Sequence, residues 1–373
     1  MLSQPPPDTR RSLQPLAWLY GIGVDFRNRL YDAHILKQTK YDIPVICVGN
    51  ITVGGTGKTP HIEYLIELLS TRYNVGVLSR GYKRKTSGYR EVTTQSTSSE
   101  VGDEPLQIKL KYPQTLVVVD KNRNRAIERM MALPEEKRPD VILMDDGFQH
   151  RSIVPSLSIL LVDSNRPVYE DHLLPAGNLR EPFSGKNRAD MVIVTKCDPE
   201  MEPIDFRIYS NGLKLFPYQS LYFTSLDYGN LRPVFPQKGN EDEIDLYDLR
   251  KKHVLLVTGI ASPQPLVEKL EKKTYNLYPL FFPDHHNFGE NDIATIQQKL
   301  NEIEDDDKII VTTEKDAMRF RSIEQKIPDE IKAILYYIPV KIKFMEKPEK
   351  ESFNKKIFHH VRNYKTNKRL SEE

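Results

Sequence analysis

The sequence contains little cysteine. Only Cys47 and Cys197 occur among its 373 residues, and both stand inside apolar runs that are typical of buried strands. Small buried thiols fit such positions better than a disulfide or a pair of metal ligands does. The sequence therefore excludes a disulfide framework and indicates a reducing compartment such as the cytosol.

An excess of charge of one sign is also missing. The 54 Lys and Arg residues are balanced by 52 Asp and Glu residues, which leaves a formal net charge of +2. This balance provides no global field that would attract nucleic acid, so no nucleic-acid partner is predicted. No feature of the sequence calls for an obligate protein partner either.

Long hydrophobic runs are absent as well, since none approaches the roughly 20 residues that a membrane-spanning helix needs. Residues 13–30, LQPLAWLYGIGVDFRNRL, nevertheless place apolar residues at helical spacing beside Trp18, Phe26 and the cations Arg27 and Arg29. This pattern fits a helix that lies in a membrane interface. It fits equally well an N-terminal helix that docks on the protein core, and the pattern alone leaves both interpretations open.

Short apolar runs that end in polar or glycine residues are frequent in the first 200 residues. They lie at 44–48, 75–78, 116–120, 141–145, 159–163 and 191–195. Helical patterns alternate with some of them, as where Ile62, Leu65, Ile66 and Leu69 follow the first run at spacings of three and four. The alternation predicts an α/β/α sandwich with a mostly parallel sheet and with sites at the carboxyl ends of its strands.

The length of the chain favours two domains. Regular alternation is lost between 199 and 248 and resumes with strand-like runs at 254–257, 277–282 and 309–312. The predicted organisation is an N-terminal helix (1–34), a larger α/β domain (35–220), a linker (221–248) and a smaller α/β domain (249–373).

Residues 48–60, VGNITVGGTGKTP, carry the components of a phosphate-binding loop. Such a loop needs glycines so that backbone N–H groups reach phosphate oxygens, a lysine for the β- and γ-phosphates, and a hydroxyl for Mg²⁺. Gly54, Gly55, Gly57, Lys58 and Thr59 supply them between a predicted strand and a predicted helix. The sequence therefore predicts a nucleotide-binding protein.

Two residues of this loop distinguish between nucleotide-binding classes. Thr52 stands where the commonest version of the loop has its first glycine. The spelling G-G-x-G-K-T resembles the Min and Par partition ATPases, but those have a signature lysine where this chain has Val53. A membrane-associated switch ATPase of the partition type is the alternative hypothesis, and Val53 argues against it.

A guanine-nucleotide switch is a third hypothesis. Residues 195–198, TKCD, resemble the base-reading segment N-K-x-D at the end of a predicted strand. Thr195 replaces the asparagine, and no metal-sensing D-x-x-G segment precedes it at the required spacing. These departures argue against the hypothesis.

Acidic and basic clusters follow several of the predicted strands. Asp145 and Asp146, in VILMDDGFQH, suit a nucleotide-bound Mg²⁺, or they simply end a strand. The run 79–85, SRGYKRK, fits an anion clamp or a solvated charged loop.

Asp103, in GDEP, fits a catalytic base or a helix N-cap. In 284–288, DHHNF, adjacent histidines do not converge on one metal ion, and a proton-handling histidine fits better.

Taken together, these motifs resemble the tetraacyldisaccharide 4'-kinase family of Gram-negative bacteria. The motifs that carry the resemblance are VGNITVGGTGKTP, SRGYKRK, GDEP, MDDGFQH, LPAGNLREP, DHHNF and TTEKDAMR, in the order of the family. The resemblance implies transfer of the γ-phosphate of ATP, with Mg²⁺, to the 4'-hydroxyl of a tetraacylated disaccharide 1-phosphate, which gives lipid IVA. It also implies a position at the cytoplasmic face of the inner membrane.

The resemblance also assigns roles to individual residues. The nucleotide site comprises Thr52, Val53, Gly54, Gly55, Thr56, Gly57, Lys58, Thr59 and Arg180. The metal site comprises Thr59, Asp145, Asp146 and Glu181. Asp103 corresponds to the catalytic acid and His285 to its partner, although the adjacent His286 leaves open which imidazole acts. Tyr82 and Arg123 correspond to positions that line the acceptor and phosphate sites.

The implied substrate bears on the N-terminal helix. A sugar with four acyl chains stays in the bilayer, so a kinase that acts on it must reach the membrane surface. The resemblance therefore favours the interfacial interpretation of residues 13–30 and predicts a peripheral membrane protein whose partner is the lipid substrate.

Overall fold

The computed structural model describes residues 11–236, 243–284, 286–305 and 307–372. In chain order its strands are β1 (Val45–Gly49), β2 (Val75–Ser79), β3 (Arg90–Glu91), β4 (Leu116–Val119), β5 (Val141–Asp145), β6 (Leu157–Asp163), β7 (Met191–Thr195), β8 (Ser220–Tyr228), β9 (Arg232–Pro233), β10 (His253–Thr258), β11 (Asn276–Phe281), β12 (Lys308–Thr313), β13 (Leu335–Ile338) and β14 (Val340–Phe344). Its α-helices are α1 (Gln14–Asp32), α2 (Lys58–Leu69), α3 (Ser98–Val101), α4 (Asp103–Lys111), α5 (Arg123–Met131), α6 (Pro203–Leu213), α7 (Gln264–Glu271), α8 (Glu290–Asn301), α9 (Glu314–Arg321), α10 (Asp329–Ile334) and α11 (Lys347–Glu372).

The larger sheet has the strand order β14-β8-β7-β6-β1-β5-β2-β4-β3 in the described part of the chain. Its strands from β8 to β4 run parallel to one another, and β14 and β3 pair antiparallel at the two edges. Short apolar runs form the central strands because both faces of a parallel sheet are covered and every side chain is buried. The carboxyl ends of these strands therefore share one edge.

The smaller sheet has the order β11-β10-β12-β13-β9 among the described residues. Strands β11, β10, β12 and β13 are parallel, and β9 pairs antiparallel with β13. The predicted fold, a mostly parallel α/β/α sandwich with a second and smaller α/β unit, is confirmed.

The end of the chain returns to the larger sheet. Strand β14 pairs with β8, and Phe353, Ile357 and Val361 of α11 pack in the same core as Ile46 and Ile62. The predicted smaller domain extended to residue 373, whereas residues 340–364 lie against the larger sheet. The smaller unit is thus an insertion between two neighbouring strands of the larger one.

Helices α4 and α9 join the two units through ion pairs. The Lys111 ammonium lies 2.6 Å from Glu63 of α2 and 3.0 Å from Glu314 of α9. Gln107 also donates to Glu63, at 2.9 Å. Burial and the neighbouring Glu314 raise the pKa of Glu63 to about 7, although Lys111 opposes the shift. The nucleotide helix, α4 and the smaller unit therefore meet in one buried charged cluster.

Helix α1 docks on the larger unit along one side only. Ala17, Gly21 and Tyr31 are buried, and a Cβ atom at Gly21 would lie 2.7 Å from Leu173, so glycine permits this close approach. The opposite side exposes Leu16, Trp18, Leu19, Ile22 and Phe26. The helix contacts the core with one face and leaves an apolar face uncovered.

Candidate active site

The phosphate loop connects β1 to the N-terminus of α2. Gly54 and Gly57 have φ values of 93° and 81°, which glycine adopts without strain, and Gly57 occupies the N-cap position. Lys58 is the first residue of the helix. The loop thus presents backbone N–H groups and a helix N-terminus where an anion binds.

Two side chains outside the loop donate hydrogen bonds to its carbonyl groups. Lys196 donates to the carbonyl oxygen of Gly55 and pairs with Asp163 at 2.7 Å. The hydroxyl of Thr195 donates to the carbonyl oxygen of Thr56 at 3.0 Å. These hydrogen bonds fix the carbonyl groups of two consecutive loop residues and so restrict the conformation of the loop.

His61 continues this support. Its Nδ1 donates to the Gly57 carbonyl oxygen at 2.7 Å, which requires that Nε2, 3.1 Å from the Thr224 hydroxyl, be the acceptor. Burial lowers the pKa of His61 to about 4, although the bond to Gly57 opposes the shift. The ring is therefore neutral and acts as a structural support for the loop.

The start of the loop pairs with a second segment. The N–H of Val53 donates to Asn178 at 2.8 Å, the N–H of Arg180 donates to Ile51 at 2.8 Å, and Thr52 is bridged to Leu179. This pairing brings Arg180 beside the loop, and its contact with the nucleotide stays a prediction. Thr52 is buried, and its role at the nucleotide stays a prediction.

Asp145 reaches the same edge because β1 and β5 are neighbours, with Val48 opposite Asp145. The carboxylate is buried, and its Oδ2 accepts from the Ser79 hydroxyl at 3.1 Å. Its Oδ1 is buried without a hydrogen-bond partner among the described residues. Burial, together with Glu104 and Asp146, raises the pKa of Asp145 to about 7. The ionised form of this buried carboxyl is therefore poorly stabilised by the protein, and a nearby cation would stabilise it.

Asp146 has the opposite shift. Its backbone is left-handed, with a φ of 48°, and its carboxylate lies 3.6 Å from Lys58 and 3.2 Å from Arg180. Burial opposes ionisation, but the charges of Lys58 and Arg180 outweigh it and hold the pKa of Asp146 below its ordinary value. The two adjacent acids thus differ in charge preference because Asp146 forms ion pairs with Lys58 and Arg180, whereas at Asp145 burial and the neighbouring acids outweigh the charge of Lys58.

Glu181 is buried and has protein partners on both oxygens. Gln149 donates to Oε1 at 2.9 Å, and Arg188 pairs with Oε2 at 2.7 Å. Gln149 also donates to the carbonyl oxygen of Asn50, just before the phosphate loop. The role of Glu181 at the metal stays a prediction, and its contacts support the loop.

Asp103 is the first residue of α4, and Gly102 rather than Asp103 takes the N-cap position. The Asp103 carboxylate accepts from Nε of Arg319, in the smaller unit, at 2.9 Å. Its predicted partner His285 lies outside the described residues. The neighbouring His286 places Nε2 3.0 Å from Asp292.

Tyr82 and Arg123 differ in exposure. Tyr82 is exposed in the basic loop after β2, between two left-handed residues, Gly81 and Lys83. Arg123 is buried at the start of α5, and burial lowers the pKa of its guanidinium, although Asp146 and Asp145 oppose the shift. Arg123 thus supplies positive charge behind the acidic pair.

Sequence reasoning missed two residues of this site. The sequence marks Lys196 only as part of the segment TKCD, which resembles a base-reading pattern. That resemblance is the one sequence signal that could have pointed to its contact with the phosphate loop. Arg319 is the last residue of the segment TTEKDAMR, so a signal marked its position, but nothing in the sequence connects it to Asp103 across 216 positions.

Comparisons with known proteins agree with one another. The family model described as Tetraacyldisaccharide-1-P 4'-kinase matches residues 9–361. The chain is 50% identical to a tetraacyldisaccharide 4'-kinase of Parabacteroides distasonis over 350 residues, which cover 94% of each chain. It is 46% identical to that of Bacteroides thetaiotaomicron, covering 96% of this chain and 95% of the relative.

A solved structure is similar over nearly the whole chain. It is the crystal structure of LpxK from Aquifex aeolicus in complex with ATP, with a TM-score of 0.71 and 30% sequence identity. The similarity covers 94% of this chain and 99% of the other.

Proposed function

The chain belongs to the tetraacyldisaccharide-1-P 4'-kinase family, and from that premise we propose that it phosphorylates the 4'-hydroxyl of tetraacyldisaccharide 1-phosphate with ATP. The observation that carries the proposal is the register of β1 and β5, which brings the phosphate loop and Asp145 together. The predicted family is confirmed, and the partition-type switch ATPase is not supported.

ATP binds through the phosphate loop in this proposal. The backbone N–H groups of the loop and Lys58 hold the β- and γ-phosphates, and Arg180 adds a second cation beside Asp146. Lys58 lies 3.6 Å from Asp146, so bound ATP would place its phosphates beside a lysine that also pairs with a carboxylate.

The residues around Asp145 fit a magnesium ion. Among the described residues, no group of three or more His, Cys, Asp or Glu side chains could hold a metal ion alone. Nucleotide-bound Mg²⁺ needs only one or two carboxylates, because phosphate oxygens and water complete its shell. The unpartnered Oδ1 of Asp145 and the hydroxyl of Thr59 would be its protein ligands. The ion would neutralise charge that develops on the phosphates.

Asp103 is the proposed general base. It accepts the proton of the 4'-hydroxyl while that oxygen forms a bond to the γ-phosphorus, and the bond from the γ-phosphorus to its bridging oxygen breaks to release ADP. The proton then leaves to solvent. His285 is the proposed partner of this acid, and Tyr82 and Arg123 are proposed to line the acceptor site.

Helix α1 supports a peripheral position at the cytoplasmic face of the inner membrane. Within the described residues, no helix has the length and apolar character required to cross a bilayer. The Tyr20 hydroxyl of α1 donates to the carbonyl oxygen of Arg180 at 2.8 Å, so α1 lies next to the segment that carries Arg180. Contact of this face with lipid would bring the sugar headgroup to the phosphate loop.

The decisive experiment is a transfer assay. The purified protein is incubated in detergent with ATP labelled at the γ-phosphate, Mg²⁺ and the disaccharide 1-phosphate, and a labelled lipid bisphosphate is the expected product. Lys58→Met, which lacks the phosphate-binding ammonium, serves as the negative control. A wild-type protein that hydrolyses ATP without the acceptor and leaves the lipid unlabelled would overturn the proposal.

A further inference from the structure

Arg319 connects the smaller unit to the proposed base. The Arg319 side chain is 3% exposed, whereas the Asp103 side chain is 22% exposed at the junction of the units. The Nε of Arg319 donates to Oδ2 of Asp103 at 2.9 Å. A buried cation therefore fixes one oxygen of a partly exposed acid.

The guanidinium is itself held in place. Its Nη1 lies 2.6 Å from Asp316 Oδ1 and 3.2 Å from the Gly259 carbonyl oxygen. The other oxygen of Asp316 accepts from Thr258, Thr313 and the N–H of Gly259 at 2.9 to 3.0 Å. Asp316 is fully buried. Residues at the carboxyl ends of β10 and β12 thus hold Asp316, and Asp316 in turn orients Arg319.

Joining the two units does not require this contact. Lys111 already bridges α4 and α9 through Glu314 at 3.0 Å, and Lys315 lies 3.5 Å from Glu104. A carboxylate free to rotate would point either oxygen at the acceptor. A carboxylate whose Oδ2 is fixed by Nε of an arginine presents Oδ1 in one direction.

We propose that Arg319 is a positioning residue for Asp103: it holds Oδ2, so that Oδ1 faces the acceptor hydroxyl. The inference rests on the proposed function, in which Asp103 takes the proton of that hydroxyl. In this proposal the smaller unit contributes to phosphoryl transfer through Arg319, which acts on Asp103 and not on either substrate.

A double-mutant cycle tests the proposal. Arg319→Gln should lower kcat by about 10- to 100-fold, since misplacement of a reacting group costs rates of that order, and should leave the KM for ATP within about two-fold. Arg319→Lys should recover part of the loss. In an Asp103→Asn background, Arg319→Gln should cost no more than about two-fold, because its effect passes through the lost carboxylate.

Lys315→Gln is the matched control, since it removes a neighbouring ion pair between the same helices and should keep kcat within about three-fold. If Arg319→Gln does not fold, as judged by thermal melting and ATP binding, Arg319→Lys replaces it in the cycle. Losses that multiply in the double variant would overturn the role of Arg319. A wild-type protein that fails to label the lipid would instead overturn the proposed function.

Discussion

At the scale of single residues, the site contains neighbouring side chains of the same type whose pKa values are shifted in opposite directions. Asp145 and Asp146 are adjacent, yet the pKa of the first is raised by burial and that of the second is held low by Lys58 and Arg180. In the proposed function, Asp146 pairs with cations of the protein, and Asp145 would bind the cation that accompanies the nucleotide.

Lys196 provides a prediction at this scale. Lys196→Met removes the bond to the Gly55 carbonyl and the pair with Asp163, so the phosphate loop should lose its fixed shape. A hydrogen bond to a charged group contributes about 1.5 to 3 kcal/mol, and the Kd for ATP should rise about ten-fold or more. Isothermal titration calorimetry measures this change.

The control for Lys196 is Lys121→Met, at an exposed position after β4. It removes the same charge from the protein and should leave ATP affinity near that of the wild type. Equal ATP affinities of the Lys196→Met and Lys121→Met variants would show that the hydrogen bond from Lys196 to the Gly55 carbonyl does not contribute to nucleotide binding.

At the scale of secondary-structure elements, α1 allows a direct test of membrane docking. Trp18 and Phe26 are 68% and 63% exposed. Because full burial of one large apolar side chain contributes about 1.5 to 3 kcal/mol, Trp18→Glu with Phe26→Glu should lower partition to vesicles at least ten-fold. Co-sedimentation with phosphatidylethanolamine–phosphatidylglycerol vesicles measures it.

The matched control for α1 is Tyr275→Glu, which places a charge at an 86% exposed aromatic position on the smaller unit. Its vesicle binding should equal that of the wild type. Unchanged binding of the α1 variant would contradict a docking role for this helix.

The charged cluster between α2, α4 and α9 predicts a pH dependence of stability. The pKa of Glu63 is raised from 4.5 to about 7, first by burial and then by Glu314, with Lys111 and Gln107 opposing. The folded state therefore binds this proton more tightly than the unfolded state does. Between about pH 4.5 and 7, the contribution of Glu63 to stability falls as pH rises.

Glu63→Gln should remove this contribution. Each pKa unit corresponds to about 1.4 kcal/mol, so the wild type should lose roughly 1 to 3 kcal/mol more than the variant across this interval. Thermal melting of both proteins at several pH values measures the difference. Parallel curves of Tm against pH would contradict the assignment.

An element could be predicted from the sequence when its pattern lay within the element itself. The strands β5 and β7 were predicted at their observed limits, because a buried parallel strand is a continuous apolar run that ends in polar residues. The phosphate loop and the acidic pair followed from the same local signals. Strand β14 was not predicted, because its partner β8 lies far earlier in the chain.

At the scale of the whole molecule, the larger unit depends on the end of the chain. Phe353 of α11 is 2% exposed and packs against Tyr222 and Tyr64, the latter on the nucleotide helix. Phe353→Ala should destabilise the protein by about 3 to 5 kcal/mol, because it leaves a cavity in this core. Urea unfolding measures the loss.

Phe281→Ala is the control for Phe353, since Phe281 is 50% exposed in β11 of the smaller unit. The same truncation should have a much smaller effect there. A small loss at Phe353 as well would mean that α11 contributes little to the core of the larger unit.

The insertion of the smaller unit between β8 and β14 also determines when the protein can finish folding during translation. The ribosome makes the seven parallel strands of the larger sheet first, then the whole smaller unit, and only then β14 and α11. The smaller sheet can assemble while synthesis continues. The larger sheet keeps β8 as an edge strand, paired on the β7 side only, until β14 has been made, so this sheet is completed after the smaller unit has been synthesised.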